Sequence, residues 1–167
     1  MPGLLQTEAY VKVIHRRARE VLNGEEIDRI VEVRMTRQEA VTRSASPLKF
    51  SAIINEAVLR RPVGGVEVMR AQLQHIAEVA ALRSVRVQVL PFRAGVHTAM
   101  NGAFALLRFR EGGHKPIIYL ENLTGALVHR REEDVERYED AFTDLQSLAP
   151  GAEESLGIIK EAIKEWQ

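Results

Sequence analysis

Length, composition and charge set the first limits on what this chain can be. Its 167 residues approach the usual size of one domain, and 46% apolar with 28% charged residues is ordinary globular usage, which excludes a disordered or fibrous chain. Basic and acidic residues both number 23, so the formal net charge of zero gives no general attraction for nucleic acid. The absence of cysteine excludes disulfides, thiolate metal sites and a cysteine nucleophile.

Helical periodicity dominates the first 80 residues. Apolar residues recur at helical spacing over 4–22, and a second, more polar helix is predicted over 25–44. A β-prone run at 50–54 predicts a short strand. After the glycine pair 64–65, an apolar stripe predicts a helix of about four turns; its members are Met69, Leu73, Ile76, Ala77 and Ala80. His75 lies beside this stripe and is expected to be a hydrogen-bonded boundary residue.

Strand patterns follow in the middle of the chain. Apolar and polar residues alternate over 85–90, which predicts a half-buried strand that Pro91 ends. Runs at 103–109 and 116–120 predict two more strands, and 126–128 a short edge strand. Because consecutive strands with short connections usually pair antiparallel, we expect one central, mostly antiparallel sheet of four to five strands.

Two helices are predicted at the C-terminal end. One covers about 132–148, and the last carries an apolar seam at spacings of three and four: Leu156, Ile159, Ile163 and Trp166. Strands in the middle and helices at both ends favour an α+β fold, and no linker divides the chain, so residues 1–167 are predicted to form a single domain. The seam is expected to pack within the fold, although dimerisation through the last helix is a second possibility.

Motifs for cofactor or metal chemistry are absent from the sequence. The histidines are scattered without metal-ligand spacing, and no phosphate-binding or nucleophile-elbow pattern occurs, so no metal and no cofactor is expected. No apolar stretch approaches the roughly 20 residues that span a bilayer, and the N-terminus lacks a secretory pattern, so a cytoplasmic protein without membrane contact is expected.

Polar residues beside the predicted strand ends form the candidate site. Glu56, His97 and Glu121 are the candidates for acid–base catalysis. A ligand- or partner-binding site is predicted from a larger set, on the expectation that one sheet gathers these side chains in one recess: Glu56, Arg60, Gln88, His97, Asn101 and Glu121.

Four stretches occur in the order known from one family. They are residues 2–10 (PGLLQTEAY), 55–65 (NEAVLRRPVGG), 87–92 (VQVLPF) and 119–125 (YLENLTG). The chain resembles the C-terminal domain of unknown function of actinobacterial XRE-type helix-turn-helix regulators, some of them antitoxin-like. The resemblance implies a domain that follows a DNA-binding domain, and residues 1–167 contain no such domain.

Two functions follow from this resemblance and from the candidate site. The first is a non-catalytic regulatory domain that binds a small molecule or a small partner protein and makes no direct contact with nucleic acid. The alternative is a stand-alone relative that acts in secondary metabolism as a cofactor-independent isomerase or cyclase, with Glu56, His97 or Glu121 as the acid–base group.

Overall fold

A computed structural model describes residues 1–17, 23–109, 113–122 and 124–166. Contacts divide the chain into two compact units. The first unit comprises Met1–Phe92 together with the C-terminal segment that begins at Pro150, and the second unit comprises Arg93–Ala149.

The first unit begins with a short 3-10 helix, Gly3–Leu5, followed by the helices α1 (Glu8–Arg17) and α2 (Gly24–Thr42). The prediction of one helix over 4–22 is wrong at its start, because Gln6 has an extended backbone that separates the two helical segments. The last part of that prediction, 18–22, lies outside the described residues. The predicted helix over 25–44 is confirmed as α2.

The sheet of the first unit contains two parallel strands, β1 (Phe50–Asn55) and β2 (Val85–Leu90). Between them lie the short helix α3 (Ala57–Arg60) and the longer α4 (Val66–Ala80). Antiparallel pairing was expected only for consecutive strands with short connections, and β1 and β2 lack such a connection. Their connection contains a full helix, which provides the crossover that parallel strands require.

The C-terminal helix α6 (Ala152–Glu165) completes the core of the first unit. One apolar cluster forms this core. Its buried members include Leu73 and Ile76 of α4, Val87 and Val89 of β2, and Ile159 of α6. Trp166 packs against this cluster, and its indole N–H donates a hydrogen bond to the Leu59 carbonyl oxygen at 2.9 Å. Three of the four seam residues, Ile159, Ile163 and Trp166, therefore pack within the chain, as expected.

The second unit contains three antiparallel strands and the helix α5 (Glu132–Leu148). The strands β3 (Phe104–Leu107), β4 (Ile117–Asn122) and β5 (Gly125–His129) pair in that order. The helix packs on β3 and β4, where the rings of Phe104 and Tyr138 lie 4.9 Å apart between centroids.

The fold is α+β, but its strands form two small sheets, and the prediction of one central sheet of four to five strands is wrong. Residues 91–103, which join β2 to β3, contain Pro91 and two 3-10 turns, so these consecutive strands lack the short connection that favours antiparallel pairing. Within the described ranges, no helix is long and apolar enough to cross a membrane.

Candidate functional site

Three of the predicted site residues lie in the first unit and make structural contacts there. The Glu56 carboxylate accepts a hydrogen bond from the Phe92 N–H at 2.9 Å and lies 3.4 Å from the Arg60 guanidinium. Arg60 also forms an ion pair with Glu165, the last residue of α6. Gln88 is buried, and its amide donates to the Pro150 carbonyl oxygen at 2.9 Å. The structure thus brings Glu56 and Arg60 together, as part of the contacts that hold α3 to β2 and α6.

The other three predicted residues lie in the second unit. His97 precedes the 3-10 turn Thr98–Asn101, Asn101 ends that turn, and Glu121 lies near the end of β4 with its side chain exposed. Nδ1 of His97 is buried and lacks a hydrogen-bond partner among the described residues. Where the structure is described, no hydrogen bond or ion pair joins any two of these three side chains. The single recess was inferred from one continuous sheet, and the two separate sheets remove that argument.

Metal binding finds no support in the described part of the chain. Over those residues, no group of three or more histidine, aspartate or glutamate side chains is placed to hold a metal ion.

Of the two edge strands in the sheet of the second unit, β3 and β5, β5 is the more exposed. It lies at the end of the sheet, so its outer backbone N–H and C=O groups have no strand beside them in the described structure. Its sequence Gly-Ala-Leu-Val-His carries no lysine, arginine or acidic residue. Leu127 and Val128 point to opposite faces of the sheet, yet 54% and 46% of their surfaces are exposed.

An apolar sheet face continues inward from β5. The register places Val128 opposite Tyr119, and Tyr119 opposite Ala105, so these three side chains form one row on the same face. Leu107 and Ile117 form the next row on that face. Tyr119 and Leu107 are exposed, whereas the opposite face includes Phe104, which packs on α5. One face of this small sheet is therefore open and largely apolar, with the exposed Glu121 opposite Ala126 at the end away from Ile117.

A cavity of about 360 Å³ lies at the end of the sheet where β4 begins and β5 ends. Lys115 and Arg130 add positive charge to the apolar surface here. The residues that line the cavity are Phe109, His114, Lys115, Pro116, Ile117 and Arg130. Ile117 belongs both to this cavity and to the open sheet face, so the two surfaces are continuous. The rings of Phe109 and His114 meet edge to face, with 5.7 Å between centroids.

The sequence predicted part of this site. The run 126–128 was predicted as an edge strand and is confirmed within β5. The cavity was missed because its lining residues come from three separate stretches of chain. The sequence does contain a pattern that indicates a basic site beside an edge strand. No acidic residue occurs between Glu121 and Glu132, so an apolar strand is followed directly by two arginines.

Comparison with known proteins gives one result for the whole chain. A family model described as "Domain of unknown function (DUF5753)" matches residues 1–161. Comparisons with curated proteins and with solved structures give no match. The match extends over both units and over all four stretches noted in the sequence, and the chain belongs to this family of domains of unknown function.

Proposed function

We propose that this chain is a non-catalytic regulatory domain of a cytoplasmic transcriptional regulator, and that it binds a partner protein. The partner contributes an extended segment that adds to the outer edge of β5. The observation that carries this proposal is an uncharged edge strand with exposed apolar side chains on both faces. The regulator context is supported only by the resemblance of the four ordered stretches to XRE-type regulators.

Edge strands are usually protected, and β5 departs from that rule. Natural sheets blunt an exposed edge with charged side chains, proline or a covering element, because free backbone groups pair readily with another chain. Along β5 the only side chain that can carry charge is His129, which lies 3.4 Å from Asp134. An added strand can satisfy the free backbone groups of β5 and cover Leu127 and Val128 at once.

The size of this surface favours a short segment over a second copy of the chain. At about 3.4 Å per residue, β5 offers an edge of roughly 17 Å. An edge of this length is short beside a stable protein–protein interface, which buries about 800 Å² on each partner. A segment of five to seven residues suits an edge of this length.

The contacts of Glu56 count against this residue as the acid–base group of the catalytic alternative. Its carboxylate is engaged by the Phe92 N–H and by Arg60. A group held in this way is poorly placed to exchange protons with a substrate.

Selection from a random heptapeptide display library tests the proposal, followed by calorimetry with the enriched peptides. We expect Val128→Lys to weaken binding about fivefold or more, because the variant loses about 1 kcal/mol of apolar burial. Val33→Lys is the matched control, since Val33 lies on α2 in the first unit and its exposure is the same 46%.

Three results count against the proposal. The first is a selection that enriches no peptide, and the second is undiminished affinity of the Val128→Lys variant. The third is an equal loss of affinity in both variants, which would point to a general effect of added charge. Circular dichroism melting of each variant confirms that it is folded.

A further inference from the structure

The cavity beside β5 combines positive charge with an apolar wall. Arg130 is exposed and has no ion-pair or hydrogen-bond partner within the described structure. Lys115 lies 3.3 Å from Glu132, but about three quarters of each side chain is exposed, so this ion pair is weak and easily exchanged. Phe109, Pro116 and Ile117 supply apolar surface next to these cations. This arrangement suits an anionic group attached to an aliphatic chain.

We infer that this cavity binds a carboxylate carried at one end of the partner segment, an inference that rests on strand addition at β5 as proposed above. Arg130 follows directly after the last residue of β5. A strand that pairs along β5 therefore brings its next residue to the level of the cavity. The Arg130 guanidinium then binds the carboxylate through two N–H groups, and Lys115 exchanges its contact with Glu132 for the new anion.

The charges along β5 indicate that this carboxylate comes from a different protein. From Asn122 to Arg131 the chain has no acidic side chain. The β5 strand of a second copy would bring Arg130 and Arg131 toward the cavity in parallel pairing, and the neutral residues before Gly125 in antiparallel pairing, so neither direction brings a carboxylate from this segment. A partner whose extended, apolar segment ends in aspartate or glutamate supplies the missing charge, and in doing so fixes the direction of the segment on the edge.

Two synthetic hexapeptides of opposite polarity test this inference. They are acetyl-Glu-Thr-Val-Thr-Leu-Thr-amide and acetyl-Thr-Leu-Thr-Val-Thr-Glu-amide, each compared with a counterpart in which glutamine replaces glutamate. Binding to the full chain is followed by NMR titration, with amide exchange at β5 as a second readout. We expect one polarity to bind about tenfold more tightly with glutamate than with glutamine.

The variants Arg130→Gln and Arg137→Gln separate a local contact from general electrostatics. Both remove one exposed arginine of the second unit, but Arg137 lies on α5 and does not line the cavity. Arg130→Gln is expected to abolish the preference for glutamate over glutamine, and Arg137→Gln to preserve it. The preference should also shrink as salt concentration rises.

The remaining outcomes overturn the inference, and they can be told apart. If both peptides of a pair bind equally and protect the β5 amides, the carboxylate contact is wrong and strand addition stands. If both polarities show the same preference for glutamate, the attraction is not local to the cavity. If free benzoate binds at Arg130 as tightly as the peptides and no peptide protects β5, the cavity is a small-anion site and strand addition fails as well.

Discussion

His75 shows at the scale of one residue how burial can go beyond what a helical pattern predicts. Its place beside the apolar stripe of α4 was predicted correctly, but the expected hydrogen bond is missing, because Nε2 is buried without a partner among the described residues. Burial lowers the pKa of His75 below 6.5, and the nearby Glu78 carboxylate opposes this only in part. Periodicity places a side chain on a face of a helix, and it does not reveal which polar atoms reach that side chain.

The lowered pKa of His75 predicts a loss of stability in acid. In the unfolded chain the imidazole takes up a proton near pH 6.5, whereas the folded chain takes it up only at lower pH. The free energy of unfolding should therefore decrease as the pH falls below 6.5, and level off below the pKa of the folded state. The variant His75→Gln should show a smaller decrease between pH 7.5 and pH 5.5.

Urea unfolding of both proteins at these two pH values measures this effect. Other titrating groups contribute equally to the wild type and the variant, so the difference between the two proteins isolates His75. An equal loss in both proteins would show that proton uptake by His75 is not linked to folding.

At the scale of elements, pattern predicted secondary structure better than it predicted burial. The stripe of α4 is buried as expected, with Met69, Leu73 and Ile76 in the interior. The alternation of β2 predicted a half-buried strand, yet residues Val87 to Leu90 are all buried. The reason lies outside the strand, because the Pro150 carbonyl oxygen binds the Gln88 amide and Ser155 of α6 binds the Val89 N–H.

Contacts between elements explain the first of the four ordered stretches, residues 2–10. Gln72 of α4 is fully buried; its side-chain oxygen accepts a hydrogen bond from the Thr7 N–H at 2.8 Å, and its amide donates to the Leu5 carbonyl oxygen. Leu5 is buried beside it, and Gln6 accepts a hydrogen bond from Arg34 of α2. This stretch therefore attaches the N-terminal segment to α4 and α2, and these contacts have a structural role.

Replacement of Gln72 by leucine should destabilise the protein by about 2–3 kcal/mol, because the Thr7 N–H and the Leu5 carbonyl lose their partner in a buried position. Gln74→Leu makes the same chemical change at an exposed position of the same helix, so its effect should stay within about 0.5 kcal/mol. Urea unfolding followed by circular dichroism measures both. Equal stability of the two variants would contradict the role assigned to Gln72.

At the scale of the whole molecule, the α+β class was predictable and the sheet arrangement was not. One alternating segment and four β-prone runs located all five strands, but these local patterns did not show which strands pair. The pairing of β1 with β2 depends on α4 as a crossover. Glu56 follows β1 and Glu121 lies in β4, so these two residues belong to different units. The candidate edge was predictable as a strand, whereas its exposure on both faces follows from where α5 packs.

Strand addition at β5 is the central claim, and amide hydrogen exchange tests it most directly. The measurement compares exchange at Gly125–His129 in the free chain and with a saturating heptapeptide from the display selection. We expect exchange at the outward-facing amides of this strand to slow about tenfold or more, while the amides of α2 keep their rates. Unchanged exchange along β5 in the presence of a bound peptide would contradict strand addition.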